Sequence, residues 1–159
     1  MPNLTQTKID ELIEKLNFYK YLVSVGETVL GPLKSAPKIE ADVETKDIKL
    51  YETGTEPQAS ILVKNNVKLT LELEDIDAAM SKMEAFQKGD NVLDSTKSEA
   101  ITLVPITDDE GAKTITFPNA FLQPGLAMTL GEDDDANSTT LTYLCRPDAT
   151  TGKTFTYAA

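Results

Sequence analysis

Two stretches in the middle of the chain alternate so regularly that they restrict it to a sheet-based fold. Ile39, Ala41 and Val43 interleave with Glu40, Asp42 and Glu44, and Val67, Leu69, Leu71 and Leu73 interleave with Lys68, Thr70, Glu72 and Glu74. A period of two separates the two sets onto opposite faces of a strand, so both stretches read as half-buried strands with aliphatics on one side and charges on the other. The apolar phase moves to even positions at Ile48 and Leu50, which predicts a turn or bulge near Thr45–Asp47. Asn65-Asn66, just ahead of the second alternating run, marks a further turn or bulge.

The remaining sheet signals are shorter. Phe18–Val25 is rich in aromatic and β-branched residues and is punctuated by Gly26 and Gly31-Pro32. Ile101, Leu103, Ile115 and Phe117 belong to a hairpin with residues 107–112 as its loop. Leu126, Met128 and Leu130 alternate. Leu141, Tyr143 and Cys145 alternate with Thr140, Thr142 and Leu144, and Phe155 and Tyr157 close the chain. Thirteen of the last 64 residues are Thr, which suits the exposed face of a sheet. Two segments carry the helical period instead. Over residues 5–17, Ile9, Leu12, Ile13 and Leu16 form one apolar stripe, with Thr5 or Thr7 as cap. Over Asp75–Phe86, Ile76, Ala79, Met80, Met83 and Phe86 share a face, with Asp75 or Asp77 as cap and Gly89 as the stop. The class is mainly β, and 159 residues suit a single domain with one core.

Composition removes most chemistry. There is no His, so nucleophilic systems that depend on imidazole and imidazole metal ligands are excluded. One Cys excludes an intrachain disulfide and multi-cysteine metal sites. A net charge of −11 with a single Arg, Arg146, argues against a nucleic-acid-binding surface. The acidity sits in the body: residues 1–38 sum to +1 and residues 39–159 to −12. Met1-Pro2-Asn3-Leu4 lacks the basic and apolar blocks of a signal peptide, and no run approaches the ~20 apolar residues of a membrane span. The expectation is a protein of cytoplasmic origin with no membrane role and no cofactor.

The candidates that survive are few. The acidic turn 131–138 offers oxygen ligands, but it lacks the alternating spacing, central Gly and terminal Glu of the calcium-binding helix–loop–helix motif, and reads as a solvated hairpin loop. Asp108-Asp109-Glu110 reads the same way. Glu40, Asp42 and Glu44 place carboxylates on one strand face, yet aromatics are 6% of the chain and Trp is absent, so a sugar-stacking cleft is poorly supplied. Cys145 follows the apolar phase of Leu141 and Tyr143 and reads as a buried small hydrophobe. Met80 and Met83 read as core, and no Gly-rich phosphate loop is present. No catalytic residue and no metal ligand is assigned; function is expected in surfaces and assembly.

The order of elements has a recognisable shape. A strand, Phe18–Val25, precedes a long acidic hairpin, Ile39–Tyr51 and Ser60–Glu74, with a polar extension between its arms; then come one helix and Thr-rich strands. The run Val67-Lys68-Leu69-Thr70-Leu71-Glu72-Leu73-Glu74-Asp75-Ile76-Asp77, a strand passing directly into a helix, resembles the middle of phage tail tube proteins. Phe117-Pro118-Asn119-Ala120-Phe121, the acidic turn, Leu141-Thr142-Tyr143 and the Thr-Gly-Lys-Thr-Phe-Thr-Tyr ending resemble the final strands of that family. The resemblance covers most of residues 18–158. It implies a β-sandwich or small barrel with one flanking helix, to which this chain adds an N-terminal helix, so that 1–17 is a helical arm and 18–159 the β body.

The resemblance further implies a virion protein made in the bacterial host cytoplasm, from a phage or prophage. Such subunits form hexameric rings that stack into a tube, with self and other tail proteins as partners and DNA passing without specific binding. On that reading Glu40, Asp42, Glu44, Lys68, Thr70 and Glu72 are candidates to face the lumen. Asp47, Tyr51, Glu52, Glu56 and Pro57, on the extension Asp47–Gln58, are candidates to reach a neighbouring ring. The rivals are a tail terminator, a head–tail connector or a capsid decoration protein of similar fold and, from another class, a small acidic ligand-binding or hydrolase domain.

Overall fold

The two alternating stretches pair with each other, and the rest of the chain is built around one of them. The computed structural model describes residues 5–14, 16, 19–30, 33–54, 56–131 and 137–159. In chain order the elements are α1 (Gln6–Glu14), β1 (Tyr21–Val25), β2 (Thr28–Leu30), β3 (Lys38–Ile48), β4 (Ala59–Leu73), α2 (Ile76–Glu84), β5 (Glu99–Pro105), β6 (Thr114–Gln123), β7 (Met128–Thr129), β8 (Ser138–Cys145) and β9 (Thr156–Ala158). The mainly β expectation with two helices is what the structure shows. The strands form one open antiparallel sheet in the order β2-β1-β5-β6-β8-β4-β3, with β7 also paired to β8 and β9 to β6.

That sheet curls. Val23 and Leu30 from one end of the path and Leu69, Leu71 and Leu73 from the other belong to a single buried cluster with Ile101, Leu103, Phe117, Leu141 and Tyr143. A flat sheet cannot bring its two ends to one core. The two ends, β2 and β3, are also consecutive in the chain, and Leu33 between them bridges to Leu73 while the Lys34 N–H donates to the Glu72 carbonyl at 2.9 Å. The layers of this body therefore come from one sheet turning on itself and not from two separate sheets.

Local details follow the sequence with shifts. The β3–β4 register slips between Glu44 and Thr45: Glu44 lies opposite Lys64 and Thr45 opposite Leu62, so Val63 is the extra residue. Asn65 and Asn66 are not a turn or a bulge; they pair with Val43 and Asp42 inside β4. In α2 the Asp75 side chain accepts from the Ala78 N–H and caps the helix. Ala79 is buried, but Met80 lies at the exposed edge of the stripe, because the helix turns Ile76, Ala79, Met83 and Phe86 toward the sheet. Thr5 caps α1, its hydroxyl accepting from the Lys8 N–H. The alternation of Leu126, Met128 and Leu130 yields only the two-residue β7, with Leu126 and Leu130 exposed. Phe18 and residues 132–136 of the acidic turn lie outside the described residues.

Candidate assembly interface

The bulge at Val63 changes which face of β4 is apolar. Up to Lys64, the charged residues of β3 and β4 share one face: Glu40 lies opposite Lys68, Glu44 opposite Lys64, and Lys38 opposite Thr70. Past the bulge, Ile61 and Ala59 lie opposite Lys46 and Ile48, on the face that carried Glu40, while Leu62 lies opposite Thr45 on the other face. The outer half of the hairpin is thus apolar on both sides. Beyond Val67 no strand other than β3 pairs with β4, and Val43, Ile48, Leu50, Ile61, Leu62 and Val63 are all exposed. Three consecutive aliphatics, Ile61-Leu62-Val63, cannot all face a core from one strand. That run is the sequence signal for this exposed surface.

At the tip, Tyr51 and Glu52 lie in a short 3₁₀ turn, Tyr51–Thr53, with Gly54 at φ +85°, a conformation that favours glycine. Tyr51 is 97% exposed. Glu56 and Pro57 follow and are exposed, and the Gln58 N–H donates to the Ile48 carbonyl at 2.8 Å to close the tip. Asp47 accepts from the Ser60 hydroxyl across the hairpin at 2.9 Å. Four of the five predicted contact residues therefore cluster at the tip, with Asp47 just below.

The predicted lumen residues Glu40, Asp42, Glu44, Lys68, Thr70 and Glu72 also share one face, but it is not simply acidic. Glu40 pairs with Lys38 at 2.8 Å, Asp42 with Lys64 at 3.0 Å, and Glu72 with Lys34 at 3.9 Å while accepting from the Ser35 hydroxyl. The hydrogen bond and charge of Lys38 hold the Glu40 carboxyl below the usual carboxylate range and raise the Lys38 ammonium in turn. Three of the four acids of this face, Glu40, Asp42 and Glu72, are met by lysines of their own chain.

Two apolar hollows open where the sheet path ends. One, of about 680 Å³, lies between β1 and the start of β3 and is walled by Tyr21, Leu33, Ile39, Leu103, Ile106 and Ile115 among others. It continues into a second, of about 240 Å³, lined by Ile39, Val67, Ile115, Phe117, Phe155 and Tyr157. The first lies where, among the described residues, no strand fills the gap between β1 and β3, and the second lies between β3, β4, β6 and the chain end. Phe155 and Tyr157 remain half exposed beside it.

Two titratable side chains, Tyr143 and Cys145, lie fully buried in the interior. Burial pushes the Cys145 thiol up to about 12. Burial, then the adjacent Glu99 carboxylate, raises the Tyr143 phenol well above its ordinary value. Glu99 in turn reaches Lys82 of α2 at 3.6 Å, so this polar pair anchors the helix to the sheet. Among the described residues no group of three or more acidic or Cys side chains is placed to hold a metal, and no helix is long and apolar enough to cross a membrane.

The fold is similar to that of solved chains from contractile injection machines. A chain of the sheath/tube terminator of an extracellular contractile injection system, in its extended state, matches 91% of this chain and 96% of its own length, with TM-score 0.59 and 15% identity. The tube-terminating cap of the anti-feeding prophage matches 91% of both chains, again with TM-score 0.59 and 15% identity. A chain of the sheath–tube complex of an extracellular contractile injection system covers 99% of both, with TM-score 0.53 and 17% identity. At these identities the likeness is one of fold. Neither a family model nor a curated protein sequence matches the chain.

Proposed function

We propose that this chain is a non-enzymatic structural subunit of a phage-tail-like particle, and that its copies form stacked, hexameric rings of a tube through which DNA passes. The observation that carries this reading is the outer β3–β4 hairpin. It has an open strand edge along β3 and exposes aliphatics on both faces, a combination that invites pairing with another chain. The fold it projects from is the one found in tube and terminator components. On this reading the tip residues Tyr51, Glu52, Glu56 and Pro57 touch the adjacent ring. The face of Glu40, Asp42, Glu44, Lys68, Thr70 and Glu72 lines the passage, where Lys38 and Lys64 are already paired with acids, which limits the positive charge offered to phosphates. Partners are further copies and other tail proteins, and synthesis is in the host cytoplasm.

A second reading, a terminator that caps a tube as a single ring, is favoured by the two matches to terminating components. Electron microscopy of the purified protein across a concentration series separates the two. Tubes of uniform diameter support the tube subunit. Closed rings that never stack support the terminator. A protein that stays monomeric throughout overturns both.

A further inference from the structure

The helix α1 carries an apolar stripe and buries none of its residues. Leu12, Ile13 and Leu16 are each more than half exposed. A helix of nine residues is marginal alone in water and takes its stability from packing its apolar face. Among the described residues, none of α1 joins the buried cluster or packs against it. The apolar hollows beside β1 and β3 have the complementary problem: Leu33, Ile39, Ile115, Phe117 and Phe155 line a groove that none of the described residues fills. The wall of that groove begins at Tyr19, only a few residues beyond the end of α1, so the helix lies within reach of its own groove, yet no residue of α1 lines it.

Charge favours the same match. The polar side of α1 carries Asp10, Glu11 and Glu14 against Lys8, which is taken up by Glu11 at 3.5 Å. The groove is flanked by Lys20 and by Lys34, which also reaches Glu72 at 3.9 Å, and Lys113 sits over the Tyr157 ring at 5.3 Å from its centre. An acidic amphipathic helix faces a basic-rimmed apolar groove, which is the pattern of helix-in-groove recognition.

We infer that α1 of one copy docks its Ile9, Leu12, Ile13 and Leu16 stripe into the groove between β1 and β3 of a second copy, as an exchanged arm joining subunits. The inference rests on the reading of the chain as a self-assembling subunit, and adds a second contact distinct from the β3–β4 hairpin. It assigns roles to two features that fold stability alone does not use.

The test is disulfide trapping between two differently sized variants, one carrying Ile13→Cys and the other Ile106→Cys. Both positions are more than half exposed, so neither change disturbs the core, and the native Cys145 is buried and does not compete. The expected result is a mixed disulfide dimer that accumulates as the protein assembles. Assembly without that dimer overturns the inference and leaves the hairpin-based reading standing. Rapid intrachain closure of an Ile13→Cys/Ile106→Cys double variant in dilute monomer also overturns it, since the helix then occupies its own groove. Failure of the protein to associate at any concentration overturns both readings. A second variant, Leu12→Ser with Ile13→Ser, is expected to keep the subunit folded and to raise the concentration needed for assembly on the order of tenfold; an unchanged threshold counts against the docked helix.

Discussion

The buried Thr154 hydroxyl donates to the main-chain carbonyl of Asn65, and so ties the end of the chain to β4 at the point where β8 stops pairing with it. Val67 is the last β4 residue opposite β8, at Cys145. Two residues further along, a side chain takes over from the ladder. Thr154→Val keeps the shape and removes the donor. The expected loss is about 1–3 kcal/mol in urea unfolding, with the slope of the transition unchanged. A stability equal to that of the parent would mean that the carbonyl finds another partner.

Cys145 is expected to be inert in the folded protein. Its thiol is buried with its pKa pushed up to about 12, so the reactive thiolate is scarce at neutral pH and out of reach. Labelling by a thiol reagent at pH 8 should follow the unfolding curve in denaturant. Fast labelling of the native protein would place the residue in an opening segment.

Tyr19 donates to Asp109 at 2.7 Å and holds the β5–β6 loop against the chain leading into β1. Asp109 also accepts from the Gly111 N–H at 2.9 Å. The Tyr19 hydroxyl first, then that amide, holds the Asp109 carboxyl below its ordinary value. A folded pKa below the unfolded one gives stability that is present above the unfolded value and lost as pH falls through the folded one. Comparing parent and Tyr19→Phe by thermal melting, the difference should be constant near neutrality and shrink below about pH 4. A difference that persists at pH 2 would assign the effect to packing of the ring.

Much of this was readable in the residues. The alternations around Ile39 and Val67 predicted the hairpin, and the apolar phase of Leu141, Tyr143 and Cys145 predicted burial, because a period of two leaves little choice of face. Other features depended on partners that periodicity does not reveal. Leu126 and Leu130 alternate as a strand does, but only Met128 and Thr129 find a neighbour, in β8. The register slip beside Thr45 falls where the change of apolar phase predicted it, but its extra residue is Val63 and not Asn65 or Asn66, since β8 holds β4 from Val67 onward and the slack is taken up beyond. The acids of the proposed lumen face were legible, but Lys64 as the partner of Asp42 was not, because that pairing depends on the register between β3 and β4.

Deleting residues 52–57 should leave a folded subunit that no longer forms tubes. The segment is the exposed tip, and its loss leaves the body's buried cluster intact. Circular dichroism should be unchanged while sizing chromatography and microscopy report the loss. Undiminished polymerisation would show that rings stack through other surfaces.

Assembly should begin at lower salt when Glu40, Asp42 and Glu44 are replaced by Gln, Asn and Gln. Each copy carries −11, and that self-repulsion weakens as the Debye length falls from ~30 Å at 0.01 M to ~8 Å at 0.15 M. The variant is three charges less negative, and its freed lysines face the acids of its neighbours. Light scattering across a NaCl series reads the onset. An onset displaced to higher salt would mean that these acids bind a neighbouring subunit's lysines.

The hairpin has a bearing on the order in which the protein matures. Its pairs are near in sequence, with Ile48 opposite Ala59, whereas the body waits on distant ones such as Val25 with Ile101 and Leu73 with Thr139. Closing short loops is fast, and hairpins form in about 1–10 μs, while sheets that join remote segments fold far more slowly. A chain leaving the ribosome has both arms of its hairpin before residues 99–145 exist. The part of the molecule that exposes aliphatics on both faces is therefore ready ahead of the body that must carry it, and a net charge of −11 on each chain works against premature contact between copies while the slower part folds.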